Sequence, residues 1–197
     1  TGSFQKVANF PGVTVEKKTA VLTGHSGIKV VDLPGLYSLD VATLDEKVTR
    51  DFLTGKNSAI ASDTLLLVID STNLQKSFYL LLQLLELGHR PILAMGQMDI
   101  SEKRGLQLDL GKLEALTGCP VLPVSAATGQ GIPALVSTIV SHQSSAAHVV
   151  LPAQYQLSIK TPEYVTGKFR QIDDWIMQIT ISSLRPDTLT ERLDRWA

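Results

Sequence analysis

Asp32 and Gly35 stand where a run of apolar residues ends at a turn, in VVDLPGLYSLD (30–40). A carboxylate at the end of a strand can hold Mg²⁺, usually through water, because that ion keeps several waters and takes few protein ligands. A glycine just beyond it lets a backbone N–H approach a phosphate oxygen with no side chain in the way. Leu33 and Pro34 fill the turn between them. Upstream, Gly12 and Val13 lead into Thr14. Its hydroxyl can complete a Mg²⁺ shell, and its loop can order on a terminal phosphate. Each feature alone has an ordinary reading: an aspartate capping its own loop, and a threonine starting a strand.

Two later stretches add a second chemistry. Gly96-Gln97-Met98-Asp99 follows the apolar run RPILAMG (90–96). A carboxylate there can accept two hydrogen bonds, from the guanine N1–H and exocyclic amine. Ser125-Ala126-Ala127 closes the next apolar run, where a loop of small residues offers a backbone N–H to the guanine oxygen. These elements, in this order, point to a domain that binds GTP or GDP with Mg²⁺.

Residues with such roles need a frame to hold them. Strands are expected at 27–33, 63–70, 90–96 and 119–125. DTLLLVID (63–70) is a continuous apolar run of the kind found in parallel strands buried on both faces. Helices are expected at 74–88, with its glycine stop at Gly88, and at 108–118, between Asp109 as N-cap and Gly118. A third is expected at 131–142. This alternation argues for an α/β fold with a mainly parallel sheet flanked by helices, and ligands at the carboxyl ends of its strands. Residues 14–23 read as a hairpin with strand 27–33, giving that sheet one antiparallel edge. After residue 143 a polar linker (143–160) leads to a helix capped by Thr161 and starting at Pro162, and to a last short segment with apolar 189, 193 and 196.

Composition limits the alternatives. The 197 residues are 44% hydrophobic and 19% charged, with a net charge of -1, so no general attraction to nucleic acid or anionic lipid is implied. The one cysteine, Cys119, excludes an internal disulfide framework and reads as a small core residue. No stretch approaches the roughly 20 apolar residues needed to cross a bilayer, and no signal peptide is visible. His25, His89, His142 and His148 lack metal-ligand spacing, so no metal site is assigned among them.

NFPGVTVEKK, VVDLPGLYSL, LDEKVTRDFL, VIDSTNLQKSFYLLLQLLELG and GCPVLPVSAATGQGI together resemble the cytosolic GTPase domain of the ferrous iron transport protein B family, over residues 1–142. Residues 161–197 resemble the segment that leads from that family's helical domain towards its membrane part. The resemblance implies a P-loop-GTPase-like fold on the cytoplasmic face of a bacterial inner membrane. It implies slow GTP hydrolysis that regulates Fe²⁺ uptake, and the membrane permease part of the same protein as partner. Thr14 and Asp32 would ligate Mg²⁺, Thr14 and Gly35 would serve catalysis, and K⁺ is a further cation the family allows. A homo-oligomer is compatible with it.

The sequence departs from that pattern in three places, the phosphate loop, Gly96 and the linker, and Leu36 departs from what many other GTPases carry. No G-x-x-x-x-G-K-[ST] occurs in it; the resemblance sets that loop, with the first strand and first helix, ahead of Thr1. Without the loop's lysine and nest of N–H groups, triphosphate affinity is expected to fall. Gly96 stands where the family carries asparagine, and Leu36 where many GTPases place a glutamine that orients water. The linker is also too short for the family's usual bundle of helices. A non-hydrolysing interaction module with a GTPase fold is therefore the alternative, and another small GTPase of the superfamily a weaker one.

Overall fold

A computed structural model of the chain describes residues 6–10, 15–40, 43–54, 64–143 and 161–182. The chain divides into two units, Thr1–Ala61 and Ser62–Ala197.

The first unit holds β1 (Lys6–Asn9), β2 (Glu16–Leu22), β3 (His25–Asp32) and α1 (Leu44–Leu53). β2 and β3 form the expected hairpin, joined at Gly24, whose φ of 79° suits a residue without Cβ. β1 adds to the other side of β2, giving an antiparallel sheet of order β1-β2-β3. This corrects the expectation of a single sheet with an antiparallel edge. Among the described residues β3 ladders with β2 and β4 with β5, and the hairpin and the parallel strands form separate sheets. α1 begins in a capping box: Thr43 accepts from the Glu46 N–H while the Glu46 carboxylate accepts from the Thr43 N–H. Its Val48 packs with Phe10 and Val15 in a small core that Leu33 flanks.

The second unit begins with β4 (Leu66–Asp70), α2 (Leu74–Glu86), β5 (Ile92–Gly96) and α3 (Met98–Lys103). It continues with β6 (Gln107–Leu108), α4 (Leu110–Thr117), β7 (Val121–Pro123) and α5 (Ile132–Gln143), then α6 (Pro162–Ile179) and β8 (Thr180–Ser182). β4, β5 and β7 are parallel, in that order, and the register runs from Leu66 opposite Ile92 to Asp70 opposite Gly96. The central strand β5 is buried from Ile92 to Met95. β4 is not buried on both faces, as its apolar run led one to expect: alternate residues face opposite ways, and one of its faces is covered while the other is exposed. Ile69 is buried while Val68 is 67% exposed.

α2 buries Leu74, Phe78, Leu81 and Leu84 and leaves Gln75, Lys76 and Glu86 exposed. It stops at Gly88, where a φ of 86° lets His89 N–H reach back to Leu84 O. α4 is capped by the Asp109 carboxylate, which accepts from Lys112 N–H at 2.9 Å, and ends at Gly118 with φ 65°. Thr161 caps α6, with Pro162 in its first turn as the sequence predicts. Ile172, Trp175 and Ile179 fall on one face of α6 and join Phe78, Leu113 and Cys119 in the main core. Trp175 meets Phe78 edge-on at 6.1 Å, and Tyr79 stacks on Phe169 at 5.3 Å. Beyond α6, β8 pairs with β6, and Ser182 Oγ donates to Gly105 O at 2.8 Å.

Candidate functional site

The expected site residues fall into two groups, one in each unit. Gly12, Val13 and Thr14 lie outside the described residues. Asp32 is the last residue of β3 and is exposed; Leu33 and Pro34 follow, half-buried, and then Gly35 in the open. Two contacts hold this turn: Leu33 against the small core, and the buried Thr49 hydroxyl of α1, which donates to Pro34 O at 2.9 Å. A Cβ placed on Gly35 would meet nothing within 4 Å, so the surroundings of its backbone are clear.

The second group lies at the carboxyl ends of the parallel strands. Gly96 ends β5, Gln97 turns the chain with φ 59°, and Asp99 sits half-buried in the first turn of α3. Val124 N–H donates to Met95 O at 2.8 Å, which keeps the end of β7 beside the end of β5. Ser125 is buried and starts a tight turn: its N–H donates to Gln130 O, its carbonyl accepts from Gly129 N–H, and its hydroxyl accepts from Thr128 N–H. Ala126 and Ala127 are exposed at the tip. With the Ser125 amide spent inside the turn, the donors left for a ligand are those of the two alanines.

Strand-end carboxylates divide by what they do. Asp70 spends its carboxylate on its own turn, accepting from Thr72 N–H at 2.8 Å and from the Thr72 hydroxyl at 2.6 Å. Asp109 spends its own on the cap of α4. The carboxylates of Asp32 and Asp99 make no hydrogen bond or ion pair with a described residue. One exposed carboxylate at a strand end fits the sparse oxygen ligation of Mg²⁺; Thr14, the expected second ligand, is outside the described residues.

Two features, one glycine and one pair of serines, escaped sequence reasoning. A Cβ on Gly131 would lie 1.9 Å from Pro123 O, and its φ is 76°, so this glycine lets the loop of 125–130 close onto β7. Ser71 Oγ lies 2.7 Å from Ser101 Oγ, both residues being buried. Neither carried a spacing that could have revealed it, since one depends on a backbone approach and the other on residues far apart in the chain.

A family model described as ferrous iron transport protein B matches residues 1–139. The Fe(2+) transporter FeoB of Legionella pneumophila (strain Paris) is 38% identical over 175 residues, which is 87% of this chain and 22% of that protein. The Fe(2+) transporter FeoB of Escherichia coli (strain K12) is 41% identical over 141 residues, 68% of this chain and 18% of that protein. The chain thus spans about a fifth of the length of the curated relatives it matches. Among solved structures, the cytosolic domain of the T. maritima FeoB iron transporter in a GDP form superposes with a TM-score of 0.75 at 29% identity, over 91% of this chain and 90% of that one. The same domain in its GMPPNP form gives 0.72 at 28% identity, covering 92% of each chain.

Proposed function

The chain belongs to the ferrous iron transport protein B family, and from that premise we propose that it is the guanine-nucleotide-binding domain through which a Fe²⁺ transporter is regulated. The observation that carries this reading is the division among strand-end groups: among the described residues the carboxylates of Asp32 and Asp99 have no partner, while Asp70 and Asp109 close their own turns. Relatives solved with GDP and with GMPPNP support it.

In this reading Asp99 accepts from N1–H and the exocyclic amine of guanine, and the amides of Ala126 and Ala127 donate to its oxygen. Gly96 and Gln97 line the purine. Asp32 and Thr14 hold Mg²⁺, which would neutralise charge on the phosphates. Leu33 and Pro34 set the turn that aims the Gly35 amide at the γ-phosphate, and Gly12, Val13 and Thr14 close over it. Phosphoryl transfer to water then depends on positioning and charge stabilisation. Leu36 cannot orient the attacking water, so hydrolysis is slow and suits a timer rather than a bulk catalyst. K⁺ would add charge stabilisation in the way the family allows. The membrane permease part of the same protein is the partner, and the cytoplasmic face of a bacterial inner membrane the location. Among the described residues no helix is long and apolar enough to cross a membrane.

Gly96 favours a second reading, a GTPase fold that docks a partner without hydrolysis, because it removes a side chain from the purine loop. Fluorescent GDP titrated into the intact gene product, with ADP as competitor, tests the first. Binding that ADP does not displace, and that Asp99→Ala abolishes, is the expected result. Equal displacement by ADP and GDP would overturn it, and binding without turnover of GTP would favour the second.

A further inference from the structure

The segment Gly96–Ser101 carries Asp99 but has little of its own to hold it. Gly96 has no side chain, Gln97 adopts a left-handed φ of 59° that is disfavoured for a non-glycine residue, and α3 is only 6 residues long. Its bracing comes from outside. Ser71, in the turn after β4, is fully buried and reaches both ends of the segment. Its N–H donates to Gly96 O at 3.2 Å, and its hydroxyl pairs with that of Ser101 at 2.7 Å. Ser101 ties the far end in turn, with its N–H donating to Gln97 O at 3.1 Å and its carbonyl accepting from Leu106 N–H at 2.9 Å. The turn holding Ser71 is itself fixed, since Asp70 accepts from Thr72 and Ser77 Oγ receives the Asp70 N–H.

We propose that Ser71 and Ser101 are positioning residues for base recognition: their buried hydroxyl pair clamps the loop that presents Asp99 to the Watson–Crick edge of a purine. The proposal rests on the guanine reading above. The clamp touches no nucleotide, and it acts by fixing where the Asp99 carboxylate stands.

The test measures dissociation constants for GDP and for inosine diphosphate, which lacks the exocyclic amine, in the intact gene product and in Ser71→Ala, Ser101→Ala and the double variant. A displaced Asp99 loses the bond to that amine first, so each single variant should lower the GDP-over-inosine-diphosphate preference about five-fold. Each single variant also leaves one buried hydroxyl without its mate and lowers Tm, whereas the double variant removes both and regains much of that Tm. The preference should stay low in the double variant even as Tm recovers. A preference unchanged in all three, or equal weakening of both nucleotides, would overturn the proposal and leave the pair a packing feature. Amide exchange at Ile100 and Ser101, read without nucleotide, keeps the two ideas apart. If the wild type fails to prefer GDP over ADP, the guanine reading falls and base positioning with it; faster exchange in the variants then shows a clamp with another purpose, and unchanged exchange shows none.

Discussion

At the scale of single residues, the chain separates groups that close turns from groups kept free. Asp32, Gly35, Asp99 and Ser125 stand out in the sequence because nucleotide chemistry favours particular residue types at strand ends, and the structure sets them at or just after the ends of β3, β5 and β7. Gly131 does not stand out, although its demand is stricter. Its φ of 76° and the 1.9 Å approach of Pro123 O leave no room for a methyl group. Gly129, with φ 75° but nothing within 4 Å, faces strain alone. Gly131→Ala is therefore expected to cost on the order of 3 kcal/mol in denaturant unfolding, and Gly129→Ala about 1 kcal/mol. Equal losses would mean that backbone strain, not the close approach, fixes Gly131. Ser71 and Ser101 were hidden for another reason: a hydroxyl pair separated by 30 positions has no signature along the chain.

At the scale of elements, long periodic or continuous apolar runs were readable. β3, β4, β5 and β7, and helices α2, α4, α5 and α6, fall where pattern and caps put them, within a few residues at their ends. α1 was missed although Thr43 and Glu46 form a capping box that could have announced it. β6 and β8 were beyond reach, because strands of 2 and 3 residues exist only through each other. α6 makes the clearest prediction here. Trp175 is buried against Phe78, so Trp175→Ala should destabilise the second unit by about 3 kcal/mol. The exposed neighbour Met177 offers the control: Met177→Ala should change Tm little. Similar effects from both would deny α6 its place in the core.

At the scale of the whole molecule, the lone thiol reports on the core. Burial pushes the Cys119 thiol up from its ordinary value, with the Thr117 hydrogen bond and the charge of Arg90 acting the other way. A thiol whose value is raised by folding keeps its proton in the native state after the unfolded chain has lost it. Its contribution is therefore fully present below the ordinary thiol range, roughly pH 8.5, and is lost as pH rises beyond it. Stability measured from pH 8 to 10 should fall more steeply in the wild type than in Cys119→Ala; parallel curves would show that the thiol is solvated in the native state. The late arrival of α6 has a consequence for how the protein is made. Ile172, Trp175 and Ile179 complete a core begun at Phe78, and Ser182 returns to Gly105. A ribosome that has just released residue 143 therefore presents a nascent chain with the apolar flank of α2 and α4 still bare. Until the last turns of α6 clear the exit tunnel, that flank is a surface for chaperones to hold.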